Sequence, residues 1–281
     1  VNERVKAGVS YLEMLKEVGA IGALVVTSLI VFQIGAIFQW SWVLSTVLIL
    51  AIVAVFSIYV GSLGKPVSIV LILLMFPLAI TELGTDSWIS ELMASEMDGI
   101  GIQRGWILVY TSAIMMVLRL FAGSIVHKIL PLNLLAVSSA IACAGLVLFS
   151  MSTGIMVLVA ATLFALGKTF LWPTMLGVVS ERFPKGGALT INMTGGVGMM
   201  AAGVIGAVVL GFVQDTAIDK KLSASAPELH ETYATQEHTS IFGDYRSIDQ
   251  AKLETATVED SATVSAVREQ ARKQALQIVA I

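Results

Sequence analysis

Charged residues are scarce in this chain of 281 residues, because Asp, Glu, Lys and Arg together make up only 13% of it, while hydrophobic residues make up 56%. A soluble domain carries about 25% charged residues, so the composition excludes a soluble globular protein and predicts a polytopic membrane protein. The charges are also unevenly placed. Residues 1–213 carry 10 Lys and Arg against 9 Asp and Glu, and residues 214–281 carry 7 against 11. We therefore expect an aqueous, acidic end of the chain.

Cysteine and histidine are nearly absent. The single cysteine, Cys143, cannot form an intramolecular disulfide and lies in an apolar run, which is typical of packing. Three histidines at no metal-ligand spacing predict neither a metal site nor another cofactor, and the lack of a basic patch with interleaved aromatics argues against a nucleic-acid partner. The chain also lacks an initiator methionine and a signal-peptide pattern, so we interpret it as an internal fragment of a longer protein.

Long apolar runs dominate the rest of the sequence. Seven of them are long enough to cross a bilayer as helices. They are residues 18–39, 43–61, 66–97, 105–126, 132–151, 154–180 and 187–213. The fold is therefore expected to be an all-α polytopic membrane protein with a polar tail. Residues 1–17 predict a cytoplasmic amphipathic linker helix on the membrane surface, with a solvated linker helix as the alternative.

The orientation follows from the basic residues of the short loops, which favour the cytoplasmic side. If the N-terminus is cytoplasmic, only Arg104 lies outside. The residues that then lie inside are Arg4, Lys6, Lys16, Lys65, Lys128, Arg182 and Lys185. This topology predicts a multi-pass protein of the plasma or bacterial inner membrane with residues 214–281 extracytoplasmic. We expect this tail to be a loop of uncertain order leading to a further, missing final helix, with residues 258–281 as its possible start.

Acidic residues continue the apolar run that begins at Val67. Glu82 and Asp86 are four residues apart and share a helical face with Thr85 beside them. Because a carboxylate in hydrocarbon is costly, an intramembrane acid indicates a cavity or a partner. The alternative is that the span ends near Ile80 and that these acids are in water.

Lys168, in the middle of the sixth apolar run, is a candidate partner for these acids. The Gly-Lys-Thr triplet at Lys168 is not a phosphate loop, because the upstream glycine is absent and the segment is a membrane span. Its depth in the helix is close to that of Glu82, which favours an ion pair between them, with Asp86 as the competing partner. Gly167 and Pro173 predict a kink between them.

Three further residues could contact a solute. Trp88 and Trp172 each suit either a solute-stacking surface or a contact with a neighbouring helix. Asn192 in the glycine-rich last span could add a hydrogen bond.

Two loops resemble those of a known family. Arg119 to Pro131 is similar to the major facilitator superfamily motif between helices eight and nine, with Gly123 four residues after Arg119 and with His127, followed by Lys128, where an acid is usual. The stretch from Glu181 to Ala188, which contains Arg182, resembles the loop between helices ten and eleven. On this resemblance, residues 66–213 correspond to helices seven to eleven of the C-terminal half. Residues 18–61 would be an inserted pair, as in fourteen-helix members, or the first of them would be the native sixth helix.

The resemblance implies a secondary transporter, and not an enzyme. Such a transporter would move a small polar organic solute by alternating access, and we expect it to be coupled to protons. Glu82 or Asp86 would carry the proton, and the cytoplasmic loop residues would act in gating. The partners would be the lipid bilayer, the solute, H⁺ and the missing N-terminal half of the same chain. The alternatives are a sensor or scaffold that keeps the fold without transport, and an integral membrane enzyme, which the sparse His, Asp and Arg disfavour.

Overall fold

A computed structural model describes residues 8–123, 128–235, 238–240 and 243–280. These residues are mostly helical, with one two-stranded antiparallel hairpin near the end of the chain. The first helices are α1 (Tyr11–Ile37), α2 (Trp42–Val60), α3 (Pro66–Ala79), α4 (Thr85–Leu92), α5 (Ala94–Gly99), α6 (Trp106–Leu120) and α7 (Pro131–Met151). They are followed by α8 (Met156–Lys168), α9 (Leu171–Arg182), α10 (Gly187–Met200) and α11 (Ala207–Ser225). The last elements are α12 (Pro227–Tyr233), β1 (His238–Ser240), β2 (Gly243–Tyr245), α13 (Gln250–Glu254) and α14 (Val258–Ala280).

Six helical segments of the described chain are long and apolar enough to cross a membrane. They are Tyr11–Ile37, Trp42–Val60, Pro66–Gly84, Pro131–Met151, Met156–Arg182 and Gly187–Ser225. The protein is therefore an all-α polytopic membrane protein, as its composition predicts. Of the seven predicted spans, residues 105–126 correspond to the shorter apolar helix α6, which has 15 residues. At 1.5 Å per residue, α6 is about 22 Å long, shorter than a hydrocarbon core of about 30 Å.

The chain forms two compact units. Unit 1 comprises Val1–Gly84, Phe121–Ser139 and Phe170–Gly206, and unit 2 comprises Thr85–Leu120, Ala140–Thr169 and Ala207–Ile281.

In unit 1, α1 is bent at Gly19, whose φ of 64° and ψ of −178° are not helical. The bend removes helical partners from the next two N–H groups, and these donate instead to loop carbonyls, Ala20 N to Ser62 O at 2.9 Å and Ile21 N to Leu63 O at 3.3 Å. Gly19 thus separates a short first segment from the apolar one. Of the linker helix predicted over 1–17, the part from Tyr11 is helical, and Ser10 caps its start. Residues 8–10 are not helical, and residues 1–7 lie outside the described residues.

Replacing Gly19 by alanine is expected to lower the stability of the protein. The backbone conformation is accessible to glycine almost alone, and a Cβ at this position would overlap backbone atoms of Gly64. Strain and overpacking together should cost about 2–5 kcal/mol. The matched control is Gly61→Ala, because Gly61 also has a positive φ but a Cβ there meets no atom within 4 Å. Thermal unfolding in detergent should show a clearly larger fall in melting temperature for Gly19→Ala than for Gly61→Ala. Equal falls would contradict the close approach of Gly19 to the backbone of Gly64.

Two π-helical segments of unit 1 interrupt the apolar helices at Ile80–Gly84 and Ala201–Gly206. The first follows Pro77, which lies inside α3 and has no N–H to donate. The two segments pack together, because a Cβ added at Gly206 would lie 3.2 Å from Ile80 Cγ1. Such widened turns are frequent at functional sites. The sequence analysis contained no prediction of them.

The helix is interrupted between Gly167 and Pro173, where the sequence predicts a kink, since α8 ends at Lys168 and α9 begins at Leu171. The interruption therefore falls directly after the buried lysine.

The sequence predicts a loop of uncertain order after residue 213, with residues 258–281 as the start of a further helix. In unit 2 of the structure, the described part of this segment holds the end of α11, two short helices, the hairpin and α14. Helix α11 continues to Ser225 without a break, and α14 packs along it. Apolar side chains between these helices and the hairpin region form a small core of Ile218, Leu222, Tyr233, Ile248, Val264 and Ala271. These buried apolar side chains give the segment after residue 213 a small core of its own.

A hydrogen bond ties the start of α14 to this small core. Tyr233 Oη donates to Asp260 Oδ2 at 2.9 Å, and this bond raises the pKa of the Tyr233 phenol because it favours the protonated form. Helix α14 is not among the six candidate spans found in the described chain.

Candidate functional site

The last residue of α8, Lys168, is a fully buried lysine in an otherwise apolar helix of unit 2. Its ammonium group forms an ion pair with the carboxylate of Asp86 at the start of α4. The same nitrogen lies 5.2 Å from the centre of the Phe164 ring. A buried ammonium group is costly unless it is paired and hydrogen-bonded, and Asp86 supplies this pairing.

Asp86 also lines a cavity. Its side chain is 22% exposed, whereas the side chain of Lys168 is fully buried. The cavity has a volume of about 480 Å³. Its lining consists of Asp86, Ser112, Met115, Met116, Arg119 and Leu120. This volume lies within the range of about 300–1,000 Å³ that is usual for small-molecule sites. The lining combines an acid, a guanidinium group and a hydroxyl with apolar side chains, which suits a small solute with polar groups.

Arg119 belongs to this cavity as well as to the loop motif in which the sequence placed it. Its Nε donates to the carbonyl oxygen of Thr169 at 3.3 Å, directly after Lys168. This carbonyl lies at the end of α8, where the helix has carbonyls without helical partners, and a cation there is favourable. Arg119 therefore connects the helix interruption to the cavity that Asp86 faces.

No match to this chain is found among known protein families, curated proteins or solved structures. The chemistry of the site therefore has to be argued from its own residues. Nowhere in the described ranges do three His, Cys, Asp or Glu residues lie close enough together to hold a metal ion.

Glu82 has a different position from Asp86. It lies in the π-helical segment Ile80–Gly84 of unit 1 and is 3% exposed. Its Oε2 accepts a hydrogen bond of 3.0 Å from the backbone N–H of Trp172, the second residue of α9. The sequence favoured Glu82 as the partner of Lys168 and kept Asp86 as the alternative, and the ion pair in unit 2 is with Asp86. The pairing of Glu82 with Lys168 stays a prediction.

A carboxylate from a distant part of the chain accepts a backbone N–H at the start of each of three consecutive helices. Before α8, Gly154 N donates to Glu96 Oε2 at 2.7 Å. In the first turn of α9, Trp172 N donates to Glu82, and before α10, Gly186 N donates to Glu17 Oε2 at 2.6 Å. Helix N-termini expose N–H groups without helical partners and carry a partial positive charge. The three glutamates therefore act as N-terminal caps supplied by other segments.

The remaining residues predicted for the pathway are placed as follows. Thr85 is 3% exposed, and its hydroxyl has no hydrogen-bond partner among the described residues. Trp88 is half-buried and Asn192 is exposed on α10. A Cβ added at Gly198 would lie 2.9 Å from Cη2 of Trp172, so the indole ring packs against α10. Of the two interpretations of Trp172, the structure favours the contact with a neighbouring helix.

The predicted cytoplasmic loop residues are only partly described. His127 lies outside the described residues, while Lys128 and Arg182 are exposed. A Cβ at Gly123 would meet no atom of the described chain within 4 Å, so no close helix contact is made at this glycine among the described residues. The gating role of this loop stays a prediction.

The sequence analysis did not identify several residues of these sites. Met115 and Met116 line the cavity, and Glu17 and Glu96 cap helices. Glu17 carried a usable signal, because it is an acid at the edge of an apolar run, two residues before a glycine. The methionines carried none, since apolar residues on a membrane helix are expected at every position.

Proposed function

We propose that this chain is part of a secondary transporter of the major facilitator type, which moves a small polar organic solute by alternating access with coupling to protons. The observation that carries the proposal is the buried ion pair of Lys168 and Asp86 beside a cavity of about 480 Å³. An ionisable pair within a membrane helix bundle is costly and is typical of solute and proton pathways. The resemblance of the two loops supports the family assignment.

The pair suits proton coupling because Asp86 touches both the buried ammonium group and the cavity. Protonation of Asp86 would leave Lys168 without its counter-ion, and a polar group of the solute could then take the place of the carboxylate. Solute binding and protonation would thus favour the same state of the protein, which is the thermodynamic requirement for coupling. In this assignment Asp86 carries the proton, and Glu82 holds the start of α9.

The bilayer, the solute, H⁺ and the N-terminal half of the same fold are the proposed partners. The proposed orientation places the N-terminus in the cytoplasm and the carboxyl-terminal segment outside, in the plasma or bacterial inner membrane. The excess of basic residues in the loops assigned to the cytoplasm supports it.

The test is uptake by the full-length protein in proteoliposomes, measured with labelled sugars, organic acids and nucleosides with and without an imposed proton gradient. We expect accumulation of at least one class only when the gradient is present. Folded, reconstituted protein that binds a solute but never moves it would contradict transport.

A second candidate is a sensor that keeps the transporter fold. The ordered carboxyl-terminal core around Leu222 and Val264 favours it, because such a folded segment could bind a partner. A solute that changes tryptophan fluorescence without any flux would support this candidate against the first.

A further inference from the structure

A second cavity lies in unit 1 near the start of α1 and has a volume of about 380 Å³. Its lining consists of Glu13, Lys16, Glu17, Ser62, Gly64, Lys65 and Lys185. We call it the basic pocket. Three lysines from three separate parts of the chain converge on it, and neither the proposed transport site nor the helix caps require all of them.

The acids of the basic pocket are already engaged. Both oxygens of Glu17 are bound, one to Lys65 Nζ at 2.8 Å and the other to Gly186 N at 2.6 Å. Glu13 forms a capping box with Ser10 and lies 3.8 Å from Lys185 Nζ. Each of these two acids therefore has one lysine within ion-pair distance.

Of the three lysines that line the basic pocket, Lys16 forms no ion pair with a described residue. It is exposed, and no acid of the described chain lies within ion-pair distance of it. Lys185 has its weak contact with Glu13 and is 61% exposed. Two ammonium groups thus remain available to an anion in a space large enough for a small-molecule group.

The surroundings of the pocket indicate what carries this anion. Next to Gly64 and Lys65, the side chains of Leu63 and Val67 are 71% and 49% exposed. In a membrane protein such apolar side chains face acyl chains, so the lysines lie where headgroups meet the helix bundle. Basic pockets at that level bind anionic headgroups.

We propose that the basic pocket binds the phosphate headgroup of an anionic phospholipid through Lys16 and Lys185. A free phosphate ion would use the same ammonium groups but would gain nothing from Leu63 and Val67. The inference is independent of transport, because it uses no residue of the Asp86 cavity.

The test compares phosphatidylglycerol with phosphatidylcholine on the protein as purified in detergent, by native mass spectrometry of retained lipid and by thermal unfolding. We expect retained phosphatidylglycerol and a higher melting temperature with this lipid only. Replacing both lysines, Lys16→Gln with Lys185→Gln, should weaken phosphatidylglycerol retention roughly 10- to 30-fold. The matched control replaces two exposed lysines of the carboxyl-terminal segment, Lys220→Gln with Lys252→Gln, and should leave retention unchanged.

A Lys16→Arg variant keeps the charge and should retain the lipid, which separates loss of charge from loss of fold. Equal retention by the pocket variant and the control variant would overturn the proposal. Equal stabilisation by inorganic phosphate and by phosphatidylglycerol would show a free-phosphate site and would overturn the lipid assignment.

Discussion

Asp86→Ala should destabilise the protein strongly, and adding Lys168→Met should restore much of the lost stability. Removing one partner of a buried ion pair leaves an uncompensated charge and costs about 3–5 kcal/mol. The double variant has no buried charge left, so its cost is limited to packing. Thermal unfolding in detergent of the two single variants and the double variant measures the coupling.

The two single variants should also differ from each other. Lys168 is completely buried while 22% of the Asp86 side chain is exposed, so a carboxylate without its lysine is still partly hydrated. Lys168→Met alone should therefore cost less than Asp86→Ala alone. Additive losses in the double variant would show that the two side chains are not coupled.

Removing a capping glutamate should also lower the stability of the protein by a large amount. We expect the clearest loss at Glu17, which is 3% exposed. Glu17→Ala leaves the N–H of Gly186 without an acceptor, and a buried unsatisfied donor costs about 1–3 kcal/mol. Glu17→Gln keeps an acceptor oxygen for this N–H and loses only the charge opposite Lys65, which is 52% exposed. We therefore expect the alanine variant to unfold at a clearly lower temperature than the glutamine variant.

The glutamine variant is the matched control, because its side chain has nearly the same size and burial. Melting temperatures of both variants equal to that of the unsubstituted protein would show that the cap does not stabilise α10. Equal melting temperatures below that of the unsubstituted protein would assign the stability to the ion pair with Lys65 instead.

The apolar runs were sufficient to predict the membrane-spanning architecture, because a helix must satisfy its own backbone in lipid and needs a minimum length. Gly167 and Pro173 were sufficient to predict the interruption near Lys168, because each of them weakens the helix. The acids Glu82 and Asp86 were identified by their cost in hydrocarbon, which is visible in sequence alone.

The division of roles between these acids was not predictable. Both share one helical face, and depth counting favoured Glu82 as the partner of Lys168. Glu82 differs from Asp86 because it accepts a hydrogen bond from the N–H of Trp172. The position of this N–H depends on how α9 packs and not on any local sequence pattern. The π-helical turns have the same origin, and the order of the carboxyl-terminal segment depends on contacts between α11 and α14.

The central claim is that Asp86, and not Glu82, carries the proton. It is tested most directly by gradient-driven uptake of Asp86→Asn and Glu82→Gln in proteoliposomes, compared with solute exchange without a gradient. We expect Asp86→Asn to lose driven uptake and keep exchange, while Glu82→Gln, which retains an acceptor for Trp172 N, keeps both. Loss of driven uptake in Glu82→Gln together with normal driven uptake in Asp86→Asn would contradict the assignment.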